Sequence, residues 1–327
     1  MTVSSARNII KELRTLFGER LQETVHMSNY TTAQVGGPAD AVLVAQSGAE
    51  LEDFVRKVWA LNLPIYIMGS GSNLLVSDLG IRGVVIINRA HTIKVNMHVD
   101  PPMVWAESGA ILGTVARQVA LRGLSGMEWA AAIPGTVGGA VYGNAGSQGN
   151  DTKSSLELAE ILHRAKDKVS LTSDQMGYAY RSSILKRDPG NAVILAAQFR
   201  LSTSTVEAVQ EKMSEFSSKR RATQPPGASM GSMFKNPSGD YAGRLIEAAG
   251  LKGTRIGGAV ISTLHANFFV NDQGATASDV FALIQLARQT VLEKTGVALE
   301  LEIELVGDWK DSQPSSKAAK RTKKAGE

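Results

Sequence analysis

The chain has 327 residues, 43% of them hydrophobic and 20% charged, enough to bury more than one core and too apolar for a disordered protein. It contains no cysteine, which excludes disulfides, thiolate nucleophiles, thiolate-bound iron–sulfur clusters and cysteine-based zinc sites. The net charge of +4 gathers near the end, where Lys317, Lys320, Arg321, Lys323 and Lys324 face only Asp311 and Glu327, so it marks a solvated, disordered tail over 311–327 rather than a nucleic-acid footprint.

Residues 5–17 read as an amphipathic helix that lacks the long apolar core of a secretory signal or membrane span, and the cytoplasm is the expected location. Leu51, Phe54, Val55, Val58 and Trp59 recur at helical spacing. Strands follow at 63–68 and 83–87, then near 103–107, with a helix over 111–121. The stretch 123–149 is rich in glycine and shows little periodicity. Strands at 155–163 and 168–171, joined by a Lys166-Asp167 turn, and at 192–199 end this half. A polar helix over 204–221 stops at Gln224-Pro225-Pro226, and a second domain is expected from residue 201. Within it, a helix at 242–249 and a strand at 267–271 precede a helix opened by the Thr276…Asp279 capping pattern and closed by Gly296. The last strand alternates, with Leu299, Leu301, Ile303 and Leu305 on one face and Glu300, Glu302 and Glu304 on the other.

Several segments carry chemistry-bearing patterns. Gly69-Ser70-Gly71-Ser72-Asn73-Leu74 follows a strand, where free amides and hydroxyls can cradle a phosphate; it stands equally for a tight turn. Leucine at 74 and the absence of a following helix argue against a dinucleotide fingerprint. Ile133-Pro-Gly-Thr-Val-Gly-Gly-Ala140 and Tyr142-Gly-Asn-Ala-Gly146 read as backbone meeting a flat or charged ligand or as a packing corner. Gly227-Ala-Ser-Met-Gly231 matches a nucleophile elbow, with Asp240 and His265 downstream, but Gln-Pro-Pro precedes it instead of a strand. The five histidines show no HExxH or short-spaced pair, so no metal is expected. Arg181 offers a planar fork for a carboxylate or phosphate. Ser232-Met-Phe-Lys235-Asn236-Pro237 reads as an active-site loop or a surface turn.

Val35-Gly-Gly-Pro-Ala39, Gly69 to Val76, Gly126 to Gly139, Tyr180-Arg-Ser-Ser183, Gly231 to Pro237 and Leu299-Glu-Leu-Glu302, taken in order, resemble the UDP-N-acetylenolpyruvoylglucosamine reductase family, the UDP-N-acetylmuramate dehydrogenases. The resemblance spans about Tyr30 to Trp309, and no room for an extra tyrosine loop between Arg181 and Arg221 places the chain with the shorter type. It implies an α+β protein: a lead-in over 1–29, a two-lobed FAD-binding domain of the vanillyl-alcohol-oxidase type over 30–200 (lobes about 30–88 and 89–200), and a smaller α+β substrate domain over 201–310. It further implies non-covalent FAD, with Gly69, Ser70, Gly71, Ser72, Asn73 and Leu74 around the pyrophosphate. Pro134, Gly135, Val137, Gly138, Asn144 and Gly146 would line the rest.

NADPH would be the reductant and UDP-N-acetylglucosamine enolpyruvate the substrate, in peptidoglycan precursor synthesis, with neither nucleic acid nor membrane as partner; a monomer is expected. By the same resemblance Arg181 stabilises developing charge, Ser232 donates a proton and Glu302 polarises or positions the reacting group, while Arg181, Arg221, Lys235 and Asn236 bind substrate. Leu264 stands where the family pattern has a lysine before the histidine. A flavin oxidase of the same fold, a colourless nucleotide-binding protein and a Ser229 hydrolase are the rival readings.

Overall fold

The computed structural model describes residues 3–309, with side chains from Ile9 onward; the expected basic tail over 311–327 lies outside the described residues. In chain order the first part holds α1 (Val3–Phe17), β1 (Gln22–His26), β2 (Pro38–Ala45), α2 (Gly48–Ala60), β3 (Ile65–Met68), β4 (Leu74–Val76), β5 (Ile81–Asn88), β6 (Ile93–Asn96), β7 (Met103–Glu107), α3 (Leu112–Ala120), β8 (Leu124–Ser125) and α4 (Val137–Gly143). Next come β9 (Gly146–Ser147), β10 (Asn150–Asp151), α5 (Thr152–Ser155), β11 (Leu156–His163), β12 (Asp167–Thr172), α6 (Ile184–Arg187), β13 (Ala192–Arg200), β14 (Ser202–Thr203) and α7 (Val206–Thr223). The chain ends with β15 (Ala228–Ser232), α8 (Ala242–Ala248), β16 (Arg255–Ile256), β17 (Ala259–Ile261), β18 (Phe268–Asn271), α9 (Ala277–Thr295) and β19 (Glu304–Val306). Among the described residues no helix is long and apolar enough to cross a membrane.

Two compact units emerge. The first comprises the chain up to Val25, Ala39–Ser72 and Arg82–Gln224. Its two lobes are a four-stranded sheet in the order β1-β2-β5-β3 and a five-stranded sheet in the order β12-β11-β13-β7-β6. The apolar stripe of α2, started by the Ser47 hydroxyl accepting from the Glu50 N–H at 3.2 Å, buries Leu51, Phe54, Val55, Val58 and Trp59. It packs against Val84 and Ile86 of the smaller sheet and Leu162, Val193 and Leu195 of the larger, so one helix serves both lobes. Leu13 and Phe17 of α1 join this core, with Phe17 edge-on to Phe54 at 5.4 Å. The other core lies under α3 and α4 and includes Val104, Ala159, Ile161 and Phe199.

The second unit comprises His26–Pro38, Asn73–Ile81 and the described chain from Pro225. Its sheet, β15-β18-β17-β16, shares a core with α8 and α9, with Phe234 edge-on to Phe269 at 6.1 Å. The predicted α9 forms with its Thr276–Asp279 capping box and left-handed Gly296, and Asp78 also accepts from the Ala277 and Ser278 N–H groups, each at 2.8 Å. β4 pairs in parallel with β19, Leu74 opposite Glu304. Behind that pair Ser77 is buried, and its carbonyl accepts from the Gly37 and Gly80 N–H groups while its own N–H donates to the Val306 carbonyl, all at 2.9 Å.

Three sequence expectations are corrected. The boundary at 201 moves to the Gln224–Pro225 junction, because α7 buries Val209 and packs Met213 and Phe216 on the core of the first unit. Residues 30–38 and 73–81, expected in the flavin domain, and 26–29, expected in the lead-in, belong to the second unit, so the two units interleave in sequence. The alternating strand over 299–305 reduces to one bridge, Phe234 to Leu301, a bend, and β19; Leu305 is 36% exposed while Val306 is buried.

The buried Glu107 ties the first unit together: its carboxylate accepts from the Gly48 N–H at the start of α2 and from the Thr92 N–H, each at 2.7 Å. Burial pushes its pKa up, but the bonds from Thr92 and Gly48 outweigh that and hold it below the ordinary 4.5. A carboxyl with a depressed folded pKa stabilises the fold above its unfolded pKa, and that stability fades as pH falls through 4.5 toward the folded value. Glu107→Gln is expected to cost about 1–3 kcal/mol at pH 7 and to flatten the pH dependence below 4.5, read from urea denaturation at a series of pH values.

Candidate functional site

In the first unit, β3 delivers Gly69–Ser72 directly against the loop that opens α4. A Cβ on Gly69 would lie 2.5 Å from the Thr136 hydroxyl, the group that caps α4 by accepting from the Gly139 N–H at 3.4 Å. Gly71 takes φ +62° and Gly135 φ +123°, values open to glycine, and the Ser72 hydroxyl donates to the Pro134 carbonyl at 3.3 Å. The 69–72 and 134–139 segments therefore form one glycine-lined cradle. Neither contains an acidic side chain. The Ser70 hydroxyl is buried there with no hydrogen-bond partner in the structure. An unpaired buried hydroxyl costs about 1–3 kcal/mol, and a phosphate oxygen satisfies it. These residues fit the diphosphate of a dinucleotide cofactor. β4, rather than a helix, follows the loop, so the dinucleotide-fingerprint geometry is absent.

α4 ends at Asn144, buried and left-handed at φ +48°. Its carboxamide donates to Asp151 Oδ2 at 3.0 Å and to the Ala179 carbonyl at 3.2 Å, and accepts from the Lys153 N–H at 3.0 Å. Ala179 and Ser182 exchange backbone bonds at 3.0 and 3.1 Å, closing a tight turn with Tyr180 and Arg181 at its tip. Arg181 has φ +55°, a left-handed conformation that costs a non-glycine residue roughly 1 kcal/mol or more. Its guanidinium donates to the Gly146 carbonyl at 3.1 Å and stands 5.3 Å from the Tyr180 ring centre. The buried Ser183 hydroxyl donates to the Tyr142 carbonyl at 2.6 Å, and Tyr178 donates to the Val141 carbonyl at 2.9 Å. Burial first, and nearby Asp151 second, push the Tyr178 phenol pKa up, so it remains a donor at any ordinary pH.

In the second unit, β15 pairs Ser232 with Phe268 of β18. Asn267, 2% exposed, clamps the backbone two residues beyond Ser232: its Oδ1 accepts from the Phe234 N–H at 2.9 Å and its Nδ2 donates to the Phe234 carbonyl at 2.8 Å. The Glu302 N–H donates to the Met233 carbonyl at 3.0 Å, and Asn73 Nδ2 donates to the Glu302 carbonyl at 3.1 Å. Ser232 and Glu302, distant in sequence, thus lie on hydrogen-bonded neighbouring segments. Asn73 is spent on this brace, and the Glu304 N–H donates back to its carbonyl at 2.9 Å. Glu300 instead carries a largely exposed carboxylate 3.4 Å from Lys235 Nζ.

Of the remaining expected residues, Asn236 caps α8 by accepting from the Ala242 N–H at 3.1 Å. Arg221 is exposed and donates to Ser218 at 3.1 Å. Arg220 beside it is partly buried, with burial pushing its pKa down, and no acidic side chain among the described residues pairs with it. Its place in a polar, weakly patterned helix gave no signal. Ser229 is internal to β15, with its carbonyl accepting from the Thr32 hydroxyl at 2.7 Å, so no nucleophile elbow forms. His265 is structural: its Nδ1 accepts from the Asn267 N–H at 3.2 Å, its ring packs on Phe268 at 4.9 Å, and burial lowers its pKa. Leu264 is 49% exposed on the same turn.

Asn267→Ala strips two buried bonds from the backbone beside Ser232 and is expected to cost about 2–4 kcal/mol in chemical denaturation. A loss under about 0.5 kcal/mol contradicts the clamp.

Comparison with known proteins agrees with this architecture. Residues 39–165 match the FAD binding domain model, and 223–306 match the C-terminal domain model of UDP-N-acetylenolpyruvoylglucosamine reductase. The chain is similar to the UDP-N-acetylenolpyruvoylglucosamine reductases of Chloroflexus aggregans, 43% identical over 86% of this chain and 95% of the relative, and of Bacillus velezensis, 40% identical over 92% and 98%. The crystal structure of the Thermus caldophilus reductase superposes with a TM-score of 0.74 at 35% identity, over 88% of this chain and 99% of that one. On these matches and on the glycine-lined cradle, the chain is an FAD-containing oxidoreductase that belongs to the UDP-N-acetylenolpyruvoylglucosamine reductase family.

Proposed function

We propose that this protein reduces the enolpyruvyl ether of UDP-N-acetylglucosamine to UDP-N-acetylmuramate with NADPH, as a cytoplasmic monomer. The relatives' name supports the substrate; in this chain the reading is carried by the bracing of Ser232 and Glu302 on adjoining segments through Met233 and Asn73. The cradle of Gly69–Ser72 and Pro134–Gly139 would hold FAD, which would supply the chemistry of hydride transfer from NADPH to the substrate's double bond. Arg181 binds the enolpyruvyl carboxylate and stabilises the negative charge that grows on it as hydride adds to the terminal carbon. The Ser232 hydroxyl delivers a proton to the carbon beside the carboxylate, so hydride and proton together saturate the bond. Glu302 orients the reacting group. Lys235 and Arg220 are the cations assigned to the diphosphate, in preference to the exposed Arg221.

Two measurements test these roles. In anaerobic stopped-flow spectroscopy, Ser232→Ala is expected to keep its flavin and to be bleached by NADPH at the wild-type rate. Recovery of colour on adding the enolpyruvyl sugar nucleotide should slow by roughly 10²–10⁴-fold. An equal loss in both phases would remove Ser232 from proton delivery. In steady-state kinetics, Arg220→Ala is expected to raise KM for the sugar nucleotide about 10-fold with little change in kcat, the effect of one charge-assisted hydrogen bond. Arg221→Ala should leave both constants within about two-fold, and the reverse ranking would return the role to Arg221.

A further inference from the structure

We propose that Asn144 is a positioning residue for Arg181, acting through the Ala179–Ser182 turn rather than on the cofactor; the inference rests on the assignment of Arg181 to the reaction. The two backbone bonds between Ala179 and Ser182 close the turn but do not aim it. Its direction is set by bonds made by the turn and its flanks, of which three join the end of α4, Tyr178 to the Val141 carbonyl, Ser183 to the Tyr142 carbonyl and Asn144 to the Ala179 carbonyl, and one joins β9, Arg181 to the Gly146 carbonyl. Tyr178 and Ser183 anchor the flanks. Asn144 grips the first residue of the turn itself.

Asn144 is suited to that task. It is 4% exposed, and its carboxamide bonds join three pieces of chain: the end of α4, the Asp151–Lys153 segment and the turn. Arg181 holds a left-handed φ of +55° that a long side chain adopts only when its surroundings enforce it. Without the Asn144 donor, the Ala179 carbonyl keeps only its bond from the Ser182 N–H inside the turn, so the closed turn can pivot as a unit between its flanking anchors. The guanidinium then loses its fixed direction, and a displacement of about 1 Å at a reacting group is enough to cost about 10²-fold in rate.

Asn144→Gly is the direct test, because glycine accepts the φ of +48° and only the carboxamide is removed. The FAD-loaded variant is expected to retain the wild-type flavin-to-protein ratio and to be bleached by NADPH within about two-fold of the wild-type rate, while recovery on adding the enolpyruvyl sugar nucleotide slows roughly 10–100-fold. The double variant Asn144→Gly/Arg181→Ala should recover no more slowly than Arg181→Ala alone, since residues acting through one another are not additive. Loss of flavin or slowed bleaching would put Asn144 at the cofactor and overturn the proposal. So would unchanged recovery, or an additive loss in the double variant. Arg181→Ala recovering at the wild-type rate would instead overturn the assignment of Arg181. If Asn144→Gly does not fold, Asn144→Asp/Asp151→Asn keeps an amide–carboxylate pair at 144 and 151 and the acceptor for Lys153 but has no donor for Ala179, and the same outcomes decide.

Discussion

The second unit depends on three separate stretches of chain meeting at Ser77. Its N–H, carbonyl and hydroxyl are all engaged: the N–H with Val306, the carbonyl with Gly37 and Gly80, and the hydroxyl with Leu79 and the Asp308 carbonyl. At 1% exposure none of these groups has water as a substitute, so an incomplete junction leaves unpaired buried polar atoms. The approach is close enough to dictate composition. A Cβ on Gly37 would strike the Asp78 carbonyl, one on Gly80 the Pro38 carbonyl, and one on Gly307 the Gly80 carbonyl. From this junction follow the β4–β19 pair, the brace of Asn73 against Glu302 and Glu304, and hence the placement of Glu302 beside Met233.

The first unit holds its chemistry by a different device. Residues in uncommon backbone conformations, Gly71, Gly135, Asn144 and Arg181, sit at the bends of loops whose directions are set by side-chain bonds to neighbouring carbonyls. Buried carboxylates do comparable work farther out: Glu128 accepts from Ser125 Oγ at 2.6 Å and the Gly126 N–H at 2.9 Å. Burial raises its pKa, but these bonds and nearby Lys212 hold it below the ordinary carboxyl range. Rigid ladders thus position Ser232 and Glu302, whereas enforced turns position Arg181.

What the sequence revealed was local. α2 and α9 were legible because helical spacing and caps act within a few residues, and the β11–β12 hairpin because Asp167, at φ +60°, makes its turn where the Lys166-Asp167 pair suggested. The glycine-rich 123–149 stretch hid α4, since small side chains leave no apolar stripe to count. The 299–305 alternation misled because its residues bridge to Phe234 and then bend toward β4, so that side-chain period no longer maps onto one sheet face. The interleaving was illegible because parallel pairing over long separation has no local signature. Order-of-motif resemblance alone grouped Arg181, Ser232 and Glu302 as a set and Asn144 with the cofactor-lining residues; the bonds of the Asn144 side chain to Asp151, Ala179 and Lys153 had no signal in the sequence.

The Ser77 junction also sets a schedule for biosynthesis. Ser77 and Asp308 are 231 residues apart, and a ribosome adding about 5–20 residues per second needs roughly 10–50 s to span that distance. For that interval the segments 26–38 and 73–81 have emerged while β19 and its neighbours have not. The nascent first unit therefore carries two waiting internal segments, one of them with an unpaired strand, Leu74–Val76, whose Leu75 and Val76 are buried in the finished protein. The second unit thus cannot complete its core before nearly the whole chain has left the ribosome.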